Sequence, residues 1–319
     1  MSRFLLSTTF LLTAWQFLSL PSFAGPPGVT TVSFSLRAAS MLIVPVKING
    51  TGPFDFVMDT GSTVTILDST LFRELSLKPD GNTLLTSVAK SNAQLRATAE
   101  EVSVNGLGVA GLRVAAMENF NPGTSDRRVR GILGENFLDH FDLLIDNEHG
   151  QVTLDSTKAL ANSFDGEHLP MSLISNFEGN VVRHRPIVWV TVPSYSSHPM
   201  RLLLDTGAAA VAIFPHAGME WRALNGGNVT AVTASTPNGN LSCATWKDRL
   251  HWGNAAVSGA DILACHGATA EKEDNEGSLP THIFRRILIN HGGMYVLVNP
   301  VHRSTTTAEA AALIPPLAY

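Results

Sequence analysis

Two carboxylates stand at the ends of apolar runs. Phe56-Val57-Met58-Asp59-Thr60-Gly61-Ser62 and Leu202-Leu203-Leu204-Asp205-Thr206-Gly207-Ala208 share one pattern: an apolar strand, then Asp-Thr-Gly, then a small residue. An isolated charge in such surroundings is costly unless hydrogen-bond donors surround it. Gly61 and Gly207 allow a tight turn that brings backbone N–H groups close to the acid. The threonine hydroxyls are free to bond to a facing loop. Two carboxylates about 3 Å apart cannot both ionise cheaply, so they share a proton. One then serves as base on a water and the other as acid on a carbonyl oxygen, and the pair titrates as a unit. Ser62 has a hydroxyl to offer Asp59, whereas Ala208 has none for Asp205. The expectation is therefore an asymmetric pair, with Asp59 ionised and Asp205 holding the proton.

The two motifs are copies within a long-period repeat. Their offset is 205 − 59 = 146, and Gly131-Ile132-Leu133-Gly134 maps onto Gly277-Ser278-Leu279-Pro280 by the same 277 − 131 = 146. Upstream, Met41–Val46 lies over Ile187–Val192, and downstream Phe141–Ile145 lies over Ile287–Ile289. The halves run over about 30–155 and 180–300, with the polar, turn-rich Ser156–Gly179 as the connection between them. Short apolar runs rich in Val, Ile, Leu and Thr, punctuated by Asn49-Gly50, Asn105-Gly106 and Asn238-Gly239, read as strands and hairpins. Short helices are expected after each Asp-Thr-Gly strand, from Asp68/Ser69 to Leu75 and from Pro215 to Leu224. Others are expected near Asn136–His140 and Thr281–Arg286. Long amphipathic helices are absent, which disfavours a parallel βαβ sheet.

On these residues the chain resembles the pepsin/retropepsin clan of aspartic peptidases, of the bacterial two-lobed retropepsin-like type. Gly131-Ile132-Leu133-Gly134 is similar to the apolar-apolar-Gly motif behind the catalytic loop, and Gly134–Asp146 to the closing helix and strand of a retropepsin-like lobe. The resemblance implies an all-β protein of two homologous β-barrel lobes related by a pseudo-two-fold axis. It implies an endopeptidase that hydrolyses peptide bonds with a water between Asp59 and Asp205. Thr60, Gly61, Ser62, Thr206, Gly207 and Ala208 would support the catalytic loops, the two threonines locking them together. The expected division is a signal peptide over 1–24, an N-terminal lobe over 25–165 and a C-terminal lobe over 166–319. Two features depart from the clan. Pro280 stands where a glycine is usual and could alter the second lobe. The hairpin between Leu84 and Glu101 has no tyrosine, so it resembles the retropepsin flap. Flap tips at Lys90, Ser91 and Asn92, and at Pro237, Asn238 and Gly239, would close on an extended peptide.

The remaining composition narrows the class. With 22 Lys+Arg and 27 Asp+Glu the formal charge is −5, which does not suit a basic nucleic-acid binder. Residues 1–24 carry Arg3, an apolar stretch and Ser22-Phe23-Ala24, the pattern of a cleaved export signal, so a periplasmic or extracellular location is expected, without a stable membrane span. Cys243 and Cys265 are 22 residues apart. In an oxidising compartment they could bridge, at a loop-entropy value of about 3 kcal/mol; two buried thiols are the alternative. No metal-ligand spacing and no cofactor motif is present. The partner expected is a peptide or unfolded protein, met by a monomer. A lobe pairing with another chain's lobe is a second possibility. A catalytically degenerate two-lobed peptide-binding protein is the competing function. The run Arg127-Arg128-Val129-Arg130 reads as a solvated loop.

Overall fold

The computed structural model describes residues 28–37, 41–86, 91–120, 128–172, 185–214, 229–236, 239–265 and 275–303. Nearly every element among them is a strand. In the first half the hydrogen-bonded order is Met41–Ile48, Thr51–Met58, Val129–Leu133, Thr65–Asp68, Leu107–Met117, Ser91–Val104, Pro79–Thr86. In the second half it is Ile187–Val190, Met200–Asp205, Gly277–Pro280, Val211–Ile213, Ala255–Cys265, Gly239–Trp252, Thr230–Thr236. These seven strands correspond one to one, as a duplicated sequence requires, and the first sheet adds Ser35–Arg37 at its edge beside Met41–Ile48. Each sheet also curls back on itself. Met41–Ile48 pairs with Ser91–Val104 through Lys47↔Ser103 and Ile48↔Val102, and Thr191 bridges His251 in the second half. The protein is thus all-β, with two corresponding barrel-like lobes.

Alternation explains the first barrel. Val44, Val46 and Ile48 on one strand and Phe56 and Met58 on the next point inward and are almost fully buried. Burying side chains of this size contributes about 1.5–3 kcal/mol each.

The lobes are joined by a shared sheet. Asp142–Asp146 pairs antiparallel with Arg286–Asn290, with Leu143 opposite Ile289 and Leu144 opposite Leu288. Since 289 − 143 = 146, Leu143 faces its own copy, and the local two-fold axis passes through that pair. Val29–Ser33 and Gln151–Asp155 extend this sheet on one side, Tyr295–Val298 and Leu169–Pro170 on the other.

The helices are short. Ser69–Glu74 starts at Asp68, whose Oδ1 accepts the Thr70 N–H at 2.7 Å as an N-cap. Glu135–Leu138 occupies the Asn136–His140 region, and a 3-10 turn at Thr281–Ile283 is its shortened copy. The helix expected over 215–224 and the export signal over 1–24 lie outside the described residues. The connection is more structured than its polarity suggested. It contains the helix Ala159–Ser163, and Phe164–Asp165 pairs with Val301–His302. Leu160 and Phe164 explain this, because they bury against Leu288 and Leu297.

Arg130 also corrects the loop reading. It lies on Val129–Leu133 and donates to Asp68 Oδ2 at 2.7 Å and Glu74 Oε2 at 3.1 Å. This clamps the ends of helix Ser69–Glu74. Cys243 and Cys265 face each other on adjacent antiparallel strands and form a disulfide, the first of the two alternatives.

Candidate active site

Each Asp-Thr-Gly loop leaves a central strand that runs parallel to the strand carrying the downstream motif. Met58 pairs with Leu133 and Asp205 with Pro280. In the first lobe the Asp59 N–H donates to the Leu133 carbonyl at 3.0 Å. The strand ends therefore fix the loops, and the loops meet each other between the lobes.

The meeting is reciprocal. Thr60 Oγ1 donates to the Leu204 carbonyl at 2.8 Å and Thr206 Oγ1 to the Met58 carbonyl at 2.7 Å. Each hydroxyl also accepts the other threonine's backbone N–H, at 3.0 and 3.1 Å. Both threonines are sealed from solvent, at 0% and 1% exposure. Four buried hydrogen bonds with no orphaned atom resist displacement of one loop against the other.

This brings the acids together across the axis. Gly61 N–H donates to Asp59 Oδ1 at 2.8 Å and Gly207 N–H to Asp205 Oδ1 at 2.7 Å. A Cβ on Gly61 would stand 2.8 Å from Asp205 Cγ, and one on Gly207 would stand 3.0 Å from Asp59 Cγ. Each glycine thus makes room for the opposite carboxylate. The side chains are partly open to solvent on one side and interact directly with each other.

Their proton affinities differ. Desolvation is the largest cause and raises both. For Asp205 the Asp59 charge adds to it, so its pKa is pushed well above the ordinary carboxylate value. For Asp59, N–H groups of Gly61 and Ser62 and the hydrogen bond from Asp205 oppose the rise. Asp59 is the more readily ionised member and Asp205 holds the shared proton. The direction agrees with the sequence expectation but the cause does not, because Ser62 Oγ donates to the Val64 carbonyl at 2.9 Å. The serine hydroxyl takes no part: the glycine N–H contacts are alike in the two loops, and the difference lies in the Asp59 charge acting on Asp205 and the Ser62 N–H acting on Asp59.

Residues 44–137 match the model of a family described as aspartyl protease. The matched stretch lies within the first lobe, from the strand Met41–Ile48 to the helix Glu135–Leu138. Among solved structures, a retropepsin-like aspartic protease from Rickettsia conorii is similar over 40% of this chain and 91% of that chain, at 16% identity and a TM-score of 0.30. No curated protein matches the chain.

In the second lobe Pro280 removes a donor and its acceptor together. At Gly134 the N–H donates to Thr65 Oγ1 at 3.2 Å, and the helix that follows returns the Glu135 N–H to the Ser62 carbonyl at 2.7 Å. The copy of Thr65 is Val211 (211 − 65 = 146). Pro280 lacks the donor and Val211 lacks the acceptor, so the pair is lost as a unit. The remaining close approach is kept. A Cβ on Gly131 would meet the Ile66 carbonyl oxygen at 2.5 Å, and one on Gly277 would meet that of Ala212 at 2.0 Å.

The hairpins expected as flaps are Pro79–Thr86 with Ser91–Val104, and Thr230–Thr236 with Gly239–Trp252. Asn92 lies in the strand opposite Leu85, Ser91 opposite Thr86, and Gly239 opposite Thr236. Lys90, Pro237 and Asn238 lie outside the described residues.

Sequence reasoning missed the groups behind the loops. Asn136 Oδ1 accepts both the N–H and the hydroxyl of Thr65, at 2.8 and 2.9 Å. Glu135 and His291, from opposite lobes, form a buried pair at 2.6 Å, and the other ring nitrogen of His291 bonds to the Phe141 carbonyl at 2.7 Å. Burial raises the Glu135 pKa, while the His291 pKa rises because the Glu135 charge and hydrogen bond outweigh burial. The pair therefore retains a proton between its two members. Arg185 is also buried beside the loops. No spacing or repeat in the sequence marks these three, and Arg185 stands in a basic stretch with Arg183 and His184.

Proposed function

We propose that the protein is an exported aspartic endopeptidase, in which Asp59 and Asp205 activate a water between them. The observation that carries this reading is the reciprocal seat of the acids, each carboxylate lying over the glycine of the opposite loop, with the threonines interlocked beneath. With Asp59 ionised and Asp205 protonated, the water oxygen bonds to the scissile carbonyl carbon. One water proton passes to Asp59, and the Asp205 proton moves to the carbonyl oxygen. The gem-diol then collapses. One hydroxyl proton returns to Asp205, the C–N bond breaks, and the proton on Asp59 goes to the leaving amine. Because both loops come from one chain, no second copy is needed to complete the site.

The disulfide supports an oxidising destination, and among the described residues no helix is long and apolar enough to cross a membrane. The paired loss of donor at Pro280 and acceptor at Val211 argues against a degenerate second lobe. The test is cleavage of an unstructured protein across pH 3–8 by wild type and Asp59→Asn. Turnover confined to the wild type, and blocked by a statine-type transition-state mimic, is the expected result. Equal turnover by the two proteins would refute the role of Asp59. Absence of turnover with retained peptide affinity in both would favour the peptide-binding alternative.

A further inference from the structure

The outer face of the first barrel carries a groove of about 620 Å³, within the roughly 300–1,000 Å³ range of small-molecule sites. Its floor is the strand pair that closes the barrel, where Lys47 stands opposite Ser103. Val46 and Ile48 beside Lys47, and Val102 and Val104 beside Ser103, turn into the core. Alternation therefore sends Lys47 and Ser103 to the groove, with Glu101, two residues before Ser103, on the same face. Val32, Pro45 and Pro53 supply apolar walls. The rim is tied down, because Asn105 Nδ2 donates to Thr30 Oγ1 at 2.7 Å. Along the strand Thr51–Met58, Pro53 lies 59 − 53 = 6 residues before Asp59. At the usual strand rise that is about 20 Å, so the groove is separate from the carboxylate pair.

Among the described residues, the Ser103, Lys47 and Glu101 side chains have no hydrogen-bond or ion-pair partner. Ser103 is only 9% exposed, and a buried hydroxyl without a partner is costly. Lys47 and Glu101 are diagonal neighbours on paired strands, about 7–8 Å apart at the backbone, so one small ligand can reach both. The second lobe does not repeat the set. Its barrel closes in the same register, since the Thr191–His251 bridge falls at the copies of Pro45 and Asn105 (191 − 45 = 251 − 105 = 146). Yet Pro193, Lys247 and Arg249 stand at the copies of Lys47, Glu101 and Ser103. Barrel closure is therefore not what these three groups serve.

We propose that this groove is a binding site for a small zwitterion with an apolar body, an amino acid or short peptide with free ends. The ligand carboxylate meets the Lys47 ammonium and accepts the Ser103 hydroxyl. The ligand ammonium meets Glu101, and its apolar side chain rests on Val32, Pro45 and Pro53. Glu101 disfavours a simple anion and Lys47 a simple cation, because like charges brought together are repelled. The site goes beyond the peptidase reading and does not depend on it.

The test titrates the full chain with L-leucine and with alanyl-leucine, read by backbone amide shifts in NMR. N-acetyl-leucine and leucine amide are the controls, each lacking one charge. At least one of the two zwitterions should give saturable shifts at the amides of Lys47, Glu101 and Ser103, and the better binder of the two identifies the source. Each control should bind about tenfold more weakly than leucine. Lys47→Met should bind leucine amide as well as leucine, and Glu101→Gln should bind N-acetyl-leucine as well as leucine. Ser103→Ala should weaken the zwitterion by about fivefold, the worth of one hydrogen bond. Lys47 and Glu101 are exposed, so their variants keep the fold. No shift at these amides with either zwitterion at millimolar concentration would overturn the site. Shifts confined to the surroundings of Asp59 and Asp205 would do the same. Equal binding of leucine and its two blocked forms by wild type would overturn the zwitterionic ligand. Because no reading here uses turnover, failure of the peptidase reading would be seen separately.

Discussion

At the scale of single residues the site depends on absent atoms as much as on present ones. A methyl group on Gly207 would lie 3.0 Å from Asp59 Cγ, so either the carboxylate or the loop must shift. Misplacement of a reacting group by about 1 Å costs about a hundredfold in rate. Gly207→Ala should therefore lower kcat by at least that factor while its circular dichroism spectrum stays that of wild type. Ser62→Ala should leave the acid limb of the pH–rate profile in place, because the hydroxyl bonds to Val64 rather than to Asp59; a moved limb would revive the discarded explanation. Asp205→Asn should raise the melting temperature. The folded protein holds the Asp205 proton above the pH at which an unfolded chain releases it, so this group's contribution to stability falls as pH rises past about 4. The gain from asparagine should accordingly be small at pH 3 and grow toward pH 7. The aspartates and threonines were legible because their pattern recurs at a fixed spacing. Arg185, Glu135 and His291 were not, because a buried ionic group occurs once, has no copy, and is recognised only when its surroundings are known.

At the scale of elements, local chemistry decides where short pieces form. Asp68 both caps helix Ser69–Glu74 and receives Arg130, so a residue that read as part of a solvated loop is a clamp. Removing it by Arg130→Ala should cost about 1 kcal/mol, since the ion pairs remain partly exposed, as measured by urea denaturation. The Cys243–Cys265 bridge joins facing positions of two long hairpin strands. Replacing both by alanine should cost about 3 kcal/mol on loop-entropy grounds, and added reductant should give wild type a similar loss. The strands were readable from alternation and turn pairs. The core contacts of the connection were not legible, because Leu160 and Phe164 are isolated among polar residues, and only the facing Leu288 and Leu297 reveal them as core.

At the scale of the molecule, two features besides the threonine interlock keep the lobes in register. One is the shared sheet; the other is the Glu135–His291 pair, buried between residues of opposite lobes. His291→Phe would strand the Glu135 charge and should cost about 3–5 kcal/mol near pH 6. Because the folded His291 pKa is raised, its contribution is fully present below about 6.5, the unfolded value, and is lost as pH rises through the higher folded value. The difference between wild type and variant should therefore shrink at alkaline pH, which parallel denaturation curves at pH 6 and pH 9 would show. The duplication could be read at four separated places in the sequence, and with it the correspondence of the two lobes. What the copies do to each other where they touch could not, since a repeat records what is the same in each half and the contact between halves is made by what differs.

The register at Leu143 and Ile289 carries an ancestral implication. A strand that meets its own duplicate at a point of symmetry requires no distinct mate. An isolated half bearing Asp142–Asp146 would offer an edge complementary to itself, and two such halves could assemble as a homodimer with an aspartate from each. Within one polypeptide each half is free to differ, and Arg185 opposite Ala39, like Pro280 opposite Gly134, is a one-sided change that two identical subunits could not carry.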